Sequence, residues 1–454
     1  RVMANGLEAL NRAGLPGDQL LPLLLPELGH DNERVRHEAM NALLSLRPDS
    51  RAAVPHLVER LGNGDPAKRS QAINLLGRIG PDAGDAVPRL IAHLGQAAEE
   101  EQAACRQAMV EIGQAAVPGI LASAQSEPLA KLNDDAWQTR CLGDIGPQAA
   151  PALAAALEMQ KTGSSAYLAL LGMKNIGAKS ALAKQMIVPF LEHEQAAFRG
   201  VALAALVAST AKPASLMPRL QAAMRDDDLL VRQAAMDALA SLGPSARGAT
   251  SALVESLGDN DAAIRLSAVR AIGKLGSDDA VLARRLADML DGAGTELRLA
   301  VVESLGGFRK LPGSALTSLV GVVGVEHAAT QSAAFDALAK LGPEAKPALP
   351  ALNQAVRHDD AGVRASALNA LAKVESDDAK LLEELKQALD DSSANVRHTA
   401  IRELGELGSD ARPAAPELFA RLDTSEDRQP TLDALRRMRV RDVDLYISIL
   451  GNDE

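Results

Sequence analysis

Large rings are scarce in this sequence: one Trp, two Tyr and five Phe in 454 residues. Aromatic side chains fill the depth of large cores, so their scarcity excludes a deep globular interior and favours thin layers. Cysteine is scarcer still. Cys105 and Cys141 are too few for a disulfide framework. Each stands where another copy of a repeated pattern has Ala, Cys105 matching Ala72 and Cys141 matching Ala108, so both read as small packing residues. No stretch approaches the roughly 18 consecutive apolar residues that span a bilayer. Nothing alternates in the manner of a half-buried strand. No glycine-rich phosphate loop and no G-x-S-x-G nucleophile motif occurs. An excess of basic residues is missing too: the formal net charge is −11, which opposes a polyanionic partner.

What is present is repetition. RDDDLLVRQAAMDALASLG, Arg225 to Gly243, returns as DDSSANVRHTAIRELGELG, ending at Gly408, a shift of five times 33. Stepping by 33 from Arg199 reaches Arg232, Arg265, Arg298, Gln331, Arg364 and Arg397. An earlier register runs from Met3 through Arg36, Arg69, Gln102 and Asp135, offset by two positions. The glycines locate the deletion: Gly14, Gly80, Gly113 and Gly146 keep one phase, Gly177 arrives two positions early, and Gly243, Gly276, Gly342 and Gly408 resume steps of 33. A fixed period of this length is the mark of a repeat architecture.

Within one unit Val231, Ala235, Ala238, Leu239 and Leu242 form a stripe of helical spacing, here termed helix B. Acidic and Asn residues before it, such as Asp226 to Asp228 and Asp390 to Asn395, suit a helix N-terminus. Gly, often followed by Pro as in Gly80-Pro81 and Gly342-Pro343, predicts a left-handed cap and a stop. A second helix, helix A, has Pro in its first turn at Pro55, Pro88, Pro118, Pro151, Pro218, Pro350 and Pro416, where the missing N–H costs little. A two-helix hairpin of this size cannot bury its own apolar face and is stable only when stacked. Ala39, Ala72, Ala235, Ala268, Ala334, Ala367 and Ala400 supply small residues for close approach of neighbouring helices.

The recurring V-P-x-L-x-x-x-L, then D-x-x, then V-R-x-x-A-x-x-A-L-x-x-L-G, as in AVPHLVERLGNGDPAKRSQAINLLGRIG, resembles the short HEAT-like repeats of the phycobilin-lyase type over nearly the whole chain. Ankyrin and tetratricopeptide signatures are missing. The resemblance implies an all-α solenoid, a right-handed superhelix of about fourteen stacked two-helix repeats, in one continuous array over 1–454. Its parts are a partial first repeat at 1–14, a shortened repeat at 147–177 and a C-terminal capping helix at 443–454. The half repeat after Arg1 predicts a fragment or processed product, so the compartment, cytoplasmic or exported, depends on what precedes it. The resemblance also implies an inter-repeat polar ladder of turn Asp and helix-opening Arg. It maps onto Arg36, Arg199, Arg232, Arg265, Arg298, Arg364 and Arg397, with Asp227 paired to Arg232, Asp259 or Asp261 to Arg265, and Asp391 to Arg397. Gln102, Asp135 and Gln331 should interrupt it.

Chemistry finds little footing. His37-Glu38 resembles one His-Glu pair of HEAT-like di-iron hydroxylases, but the equivalent positions carry Ser70 and Gln71, Ala103 and Ala104, Gln233 and Ala234, and a metal needs converging ligands. The Arg series resembles a phosphate track, yet acids precede almost every Arg. His30, His56, His93, His327, His358 and His398 show no paired metal spacing and read as surface residues. The expectation is a non-enzymatic protein–protein interaction scaffold or docking subunit, with protein partners, no cofactor, no metal, no nucleic acid and no membrane insertion. The alternative is a lyase-like or chaperone-like holder of a chromophore or client polypeptide. Partner contact is expected where the repetition fails, in the segment that gathers Trp137, Tyr167, Phe190 and Phe198, half of the chain's aromatic residues. Phe190 and Phe198 read as fillers of the gap left by a shortened repeat, Trp137 and Tyr167 as contact rings, with Gln138 and Lys174 as their polar rim.

Overall fold

Helix B starts where the sequence supplies an acceptor. Asp65, Asp228, Asp261 and Asp360 sit in extended backbone and accept N–H groups of the first turn, at Ala67, Leu230, Ala263 and Val363 respectively. Each fills one of the unpaired donors of a helix N-terminus. The far end differs from the expected left-handed cap. Gly80 has φ 77° and ψ −140°, Gly243 φ 51° and ψ −128°, and Gly408 φ 60° and ψ −127°. This is the mirror image of extended backbone, open to glycine alone at no steric cost. The chain thereby enters a short 3-10 turn, Gly80–Ala86, Gly243–Ala249 or Gly408–Ala414, that runs straight into helix A. Gly177, at φ 57° and ψ 37°, takes the true left-handed conformation.

A computed structural model describes residues 17–28, 30, 32–45, 49–177, 181–210, 212–324 and 327–440. The expected partial repeat at 1–14 and capping helix at 443–454 lie outside them. No strand occurs among the described residues, and the fold is an all-α solenoid of two-helix repeats. The chain divides into two units, Arg1–Leu216 and Met217–Glu454.

In the first unit the B helices are Glu33–Ser45, Pro66–Ile79, Glu99–Ile112, Trp137–Ile145, Ser164–Ile176 and Ala196–Ala208, each preceded by an A helix, from Gly17–Glu27 to Ala181–Ile187. In the second they run from Leu229–Leu242 through Ala262–Lys274, Thr295–Leu305, Ala328–Leu341, Ala361–Val374 and Ala394–Leu407 to Ser425–Arg437. Each B helix packs on the next B helix of its unit, and neighbouring A helices, such as Ala280–Asp288 and Gly313–Val322, pack likewise. Several A helices, Val54–Arg60 and Thr250–Ser256 among them, have only seven residues. Alone in water such lengths are unstable, so stacking holds them.

The expected stripe Val231, Ala235, Ala238 and Leu239 is buried, while Leu242 at its end is only partly covered. Ala39, Ala72, Ala235, Ala268, Ala334, Ala367 and Ala400 are each at most 1% exposed. The backbones meet closely beside them. A Cβ on Gly273 would stand 2.8 Å from Ser304 Cα, and one on Gly77 2.9 Å from Ala108 Cα. Cys105 and Cys141 are buried in the same layer, and burial pushes their thiols up to about 11 and about 12, which suits packing and not nucleophilic chemistry. The expected fourteenth anchor, near residue 430, falls on Arg428, two positions short of a full step from Arg397, so the repeat is shortened a second time.

Candidate functional site

The arginine series has one recurrent task. Arg36, Arg69, Arg199, Arg232, Arg265, Arg364 and Arg397 each send Nη1 back to the backbone carbonyl six residues earlier, at His30, Asn63, His193, Asp226, Asp259, His358 and Asp391, over 2.7–3.1 Å. Arg428 reaches Leu422 through Nε at 2.9 Å. Arg298 reaches the carbonyl of Leu290, eight back, at 3.4 Å. The guanidinium closes the turn between helix A and helix B by a charge-assisted bond to a carbonyl that a helix end would otherwise leave exposed. Even Gln102 and Gln331, expected to interrupt the series, donate to turn carbonyls at Ala97 and Val323.

The ladder between repeats is laid over this clamp and pairs differently from expectation. Asp227 and Asp391 meet Arg232 and Arg397 only through their carbonyl oxygens. The carboxylate of Asp391 turns instead to the preceding repeat, accepting from Arg364 Nε and Nη2 at 2.8 and 2.7 Å. That of Asp259 likewise faces Arg232, 3.2 Å away. The reason is geometric. A turn residue beside its own Arg presents its backbone to it, leaving the side chain to face the neighbour.

Three repeats set an acid at the register that Val231 or Val396 holds elsewhere, and two of them, with Glu101 and Asp427, bury it. Glu101, 6% exposed, accepts from Arg69 and lies 2.8 Å from His93 Nε2. Asp427, fully buried, accepts from Arg397 at 2.8 Å and lies 3.0 Å from His398 Nε2. The bond from Arg69 holds the Glu101 carboxyl below its ordinary range against the opposing effect of burial. For Asp427 burial pushes upward, and the bonds and charges of Arg397 and His398 outweigh it. His93 and His398, expected at the surface, thus serve buried carboxylates. The signal was an acid at an apolar register opposite an Arg.

The irregular segment gathers the aromatic residues. Phe198 is buried, with Tyr167 edge-on at 5.4 Å between centroids and His193 stacked at 4.3 Å; Phe190 lies parallel to both at 6.1 Å. Burial and the Asp134 charge push the Tyr167 hydroxyl above its usual range. Trp137 begins its helix and is partly exposed. Lys174 Nζ lies 2.6 Å from Asp134 Oδ2, joining two successive repeats beside Tyr167. Gln138, expected on the polar rim, is instead 7% exposed. It holds the interior register of Ala72 and Cys105, each one period from the next.

The B-helix face changes here as well. Five residues after each anchor, helix B carries Asn41, Asn74, Gln107 and Arg140 in the first unit, and Asp237, Arg270, Glu303, Asp336, Asn369, Arg402 and Asp433 in the second. At Ser164–Ile176 and Ala196–Ala208 the same register is Leu171, which is covered, and Ala204, which is partly exposed. Among the described residues no group of three or more His, Cys, Asp or Glu is placed to hold a metal ion, and no helix is long and apolar enough to cross a membrane.

A family model of HEAT repeats matches residues 21–112, 216–306, 283–372 and 348–437. No curated protein sequence matches. Among solved structures, importin beta superposes with a TM-score of 0.54 at 14% identity, covering 98% of this chain and 71% of its own. The karyopherin Kap121p, bound to the extreme C-terminus of the protein phosphatase Cdc14p, gives 0.52 at 14%, covering 95% and 57%. This chain therefore spans a little over half the length of that karyopherin. The CpcE–CpcF complex of phycocyanin lyase from Nostoc sp. PCC7120 gives 0.33 at 22%, covering 51% and 91%.

Proposed function

The chain belongs to the HEAT-repeat family, and from that premise we propose that it is a protein-interaction scaffold whose partner docks on the B-helix face around Trp137 and Tyr167. The observation that carries this reading is the change of face. Where every other described repeat of its unit sets an amide or a charge in that register, this stretch has only Leu171 and Ala204, beside two partly exposed amphipathic rings. Such rings, at the edge of a patch of low charge, are what protein interfaces favour. A stacked array spreads contacts over many repeats, and Lys174 with Asp134 would form the polar border.

A protein partner also suits the arginines better than a nucleic acid does. Their guanidinium groups are engaged by turn carbonyls and carboxylates, leaving no unopposed basic track for phosphates. Kap121p, of the same fold, is bound to a protein segment, which supports the reading by analogy of fold alone.

The test changes Trp137 to Ala and measures affinity for a partner purified with the full chain. A loss of more than about 2 kcal/mol in binding with an unaltered melting curve supports the site. A destabilised array with unchanged affinity would assign Trp137 to packing alone.

A further inference from the structure

In the seven repeats clamped through Nη1, the side chain six residues before the anchor, like the carbonyl, has a repeated use: it accepts the backbone N–H two residues on. Asn63 Oδ1 accepts from Asp65 at 2.9 Å, Asp226 from Asp228 at 2.9 Å, Asp259 from Asp261 at 2.8 Å and Asp391 from Ser393 at 2.8 Å. This is the usual turn chemistry of Asn and Asp. In three repeats histidine holds the register, and its Nδ1 takes the bond: His30 from Asn32 at 2.9 Å, His193 from Gln195 at 3.0 Å and His358 from Asp360 at 3.0 Å. An imidazole can accept there only while Nδ1 is unprotonated.

His193 is held most completely. Its Nε2 lies 3.2 Å from the carbonyl of Lys161, in the loop between Ala150–Met159 and Ser164–Ile176. With Nδ1 accepting, the ring proton is on Nε2 and donates to that carbonyl. The ring stacks on Phe198, against which Tyr167 packs. One neutral side chain thus joins the loop of the shortened repeat to the turn that opens the next helix B.

We propose that His193 is a pH-sensitive latch: neutral, it ties the Lys161 loop to the turn before Ala196–Ala208, and protonated, it releases that turn.

An imidazole in water takes its second proton near about pH 6.5. Here that proton must enter Nδ1, where the Gln195 N–H already points. Charged and titratable groups on this turn and on the elements packed about it are Glu192 and Glu194 beside His193 in the chain, Arg199 bonded to the carbonyls of His193 and Glu194, Lys161 on the loop, Lys184 on Ala181–Ile187 and the Tyr167 hydroxyl on Ser164–Ile176. The bond from Gln195 exists while Nδ1 is unprotonated and cannot exist once Nδ1 carries a proton, which sets the sign: it is present with the ring neutral and lost as acid charges the ring. The Asn and Asp turns keep their acceptors through the same interval.

Hydrogen exchange on the full chain at pH 7.5 and 5.5, corrected for intrinsic rates, tests this at the Glu192–Ala196 turn. The wild-type turn should lose protection at the lower pH, as the Nδ1 acceptor is removed. His193→Asn, which restores the acceptor found at Asn63, should lose none. The turn at Asp226–Asp228 serves as an internal reference and should hold in both proteins. The latch is overturned if the wild-type turn stays protected, if His193→Asn loosens as much as the wild type, or if the Asp226 turn loosens equally. Should the variant fail to fold, the wild-type comparison of the two turns decides alone. No partner is involved, so the outcome is independent of the docking reading.

Discussion

The repeat at Leu229–Leu242 and the stretch from Trp137 to Ala208 solve the same packing problem by different means. In the first, an acid caps the helix, Arg232 clamps its turn, Asp259 of the next repeat faces the guanidinium, and aliphatic residues fill the layer. In the second, Asp135 replaces the anchor Arg and pairs with Arg140 on its own helix, one repeat is shortened, and rings fill the space. The difference teaches that the arginine is a local turn device. Where it is lost, at Asp135, the helix of that repeat still forms.

The sharpest way to break that comparison is Phe198→Ala. It removes a fully buried ring that three other rings contact, and should cost about 3–5 kcal/mol. Leu239→Ala, in the aliphatic repeat, should cost about 2–5 kcal/mol and unfold its own neighbourhood first, as a nearly one-dimensional array allows. Denaturant melts of both variants with regional hydrogen exchange check this. Equal loosening of all repeats in a unit would show that nearest-neighbour packing is not what holds them.

A second change asks how much the inter-repeat carboxylate adds to the clamp. Asp427→Asn leaves Arg397 and His398 without their buried anion and should cost about 3 kcal/mol. The pH sense follows from the lowered folded-state value. A carboxylate held below its unfolded value of about 4 contributes stability that is fully present above that pH and lost as pH falls through the folded value. Wild-type stability should therefore drop in acid more steeply than that of Asp427→Asn, in urea melts between pH 6 and 3. Parallel curves would mean that the carboxylate adds nothing.

The smallest effect belongs to the feature shared by regular repeats. Asp228→Ala removes the N-cap bond to Leu230 and should cost about 1 kcal/mol, visible as a slight shift of the denaturant midpoint. A cost as large as that of Leu239→Ala would make the cap, and not the layer, the main support of the helix.

Period, helix caps, proline-led A helices and the small interior residues were legible because each is carried by side-chain type at a fixed offset. Gln138 could have been read too, since it stands in the register of Ala72 and Cys105. The arginine clamp could not. Its acceptor is a backbone carbonyl, which every residue possesses, so Leu422 serves as well as His30, Asn63 or Asp226 and the side-chain type does not reveal the bond.

By itself, then, the sequence determined that this is a helical repeat array with little sign of catalytic chemistry, because burial of a 3.6-residue stripe permits no other arrangement of so regular a pattern. Only the tertiary structure decided the partners. Whether Asp391 faces Arg397 or Arg364, whether His93 meets water or Glu101, and which way the His193 ring turns all depend on how one repeat is rotated against the next. That rotation is set by the packing of whole helices, to which no single position in the chain corresponds.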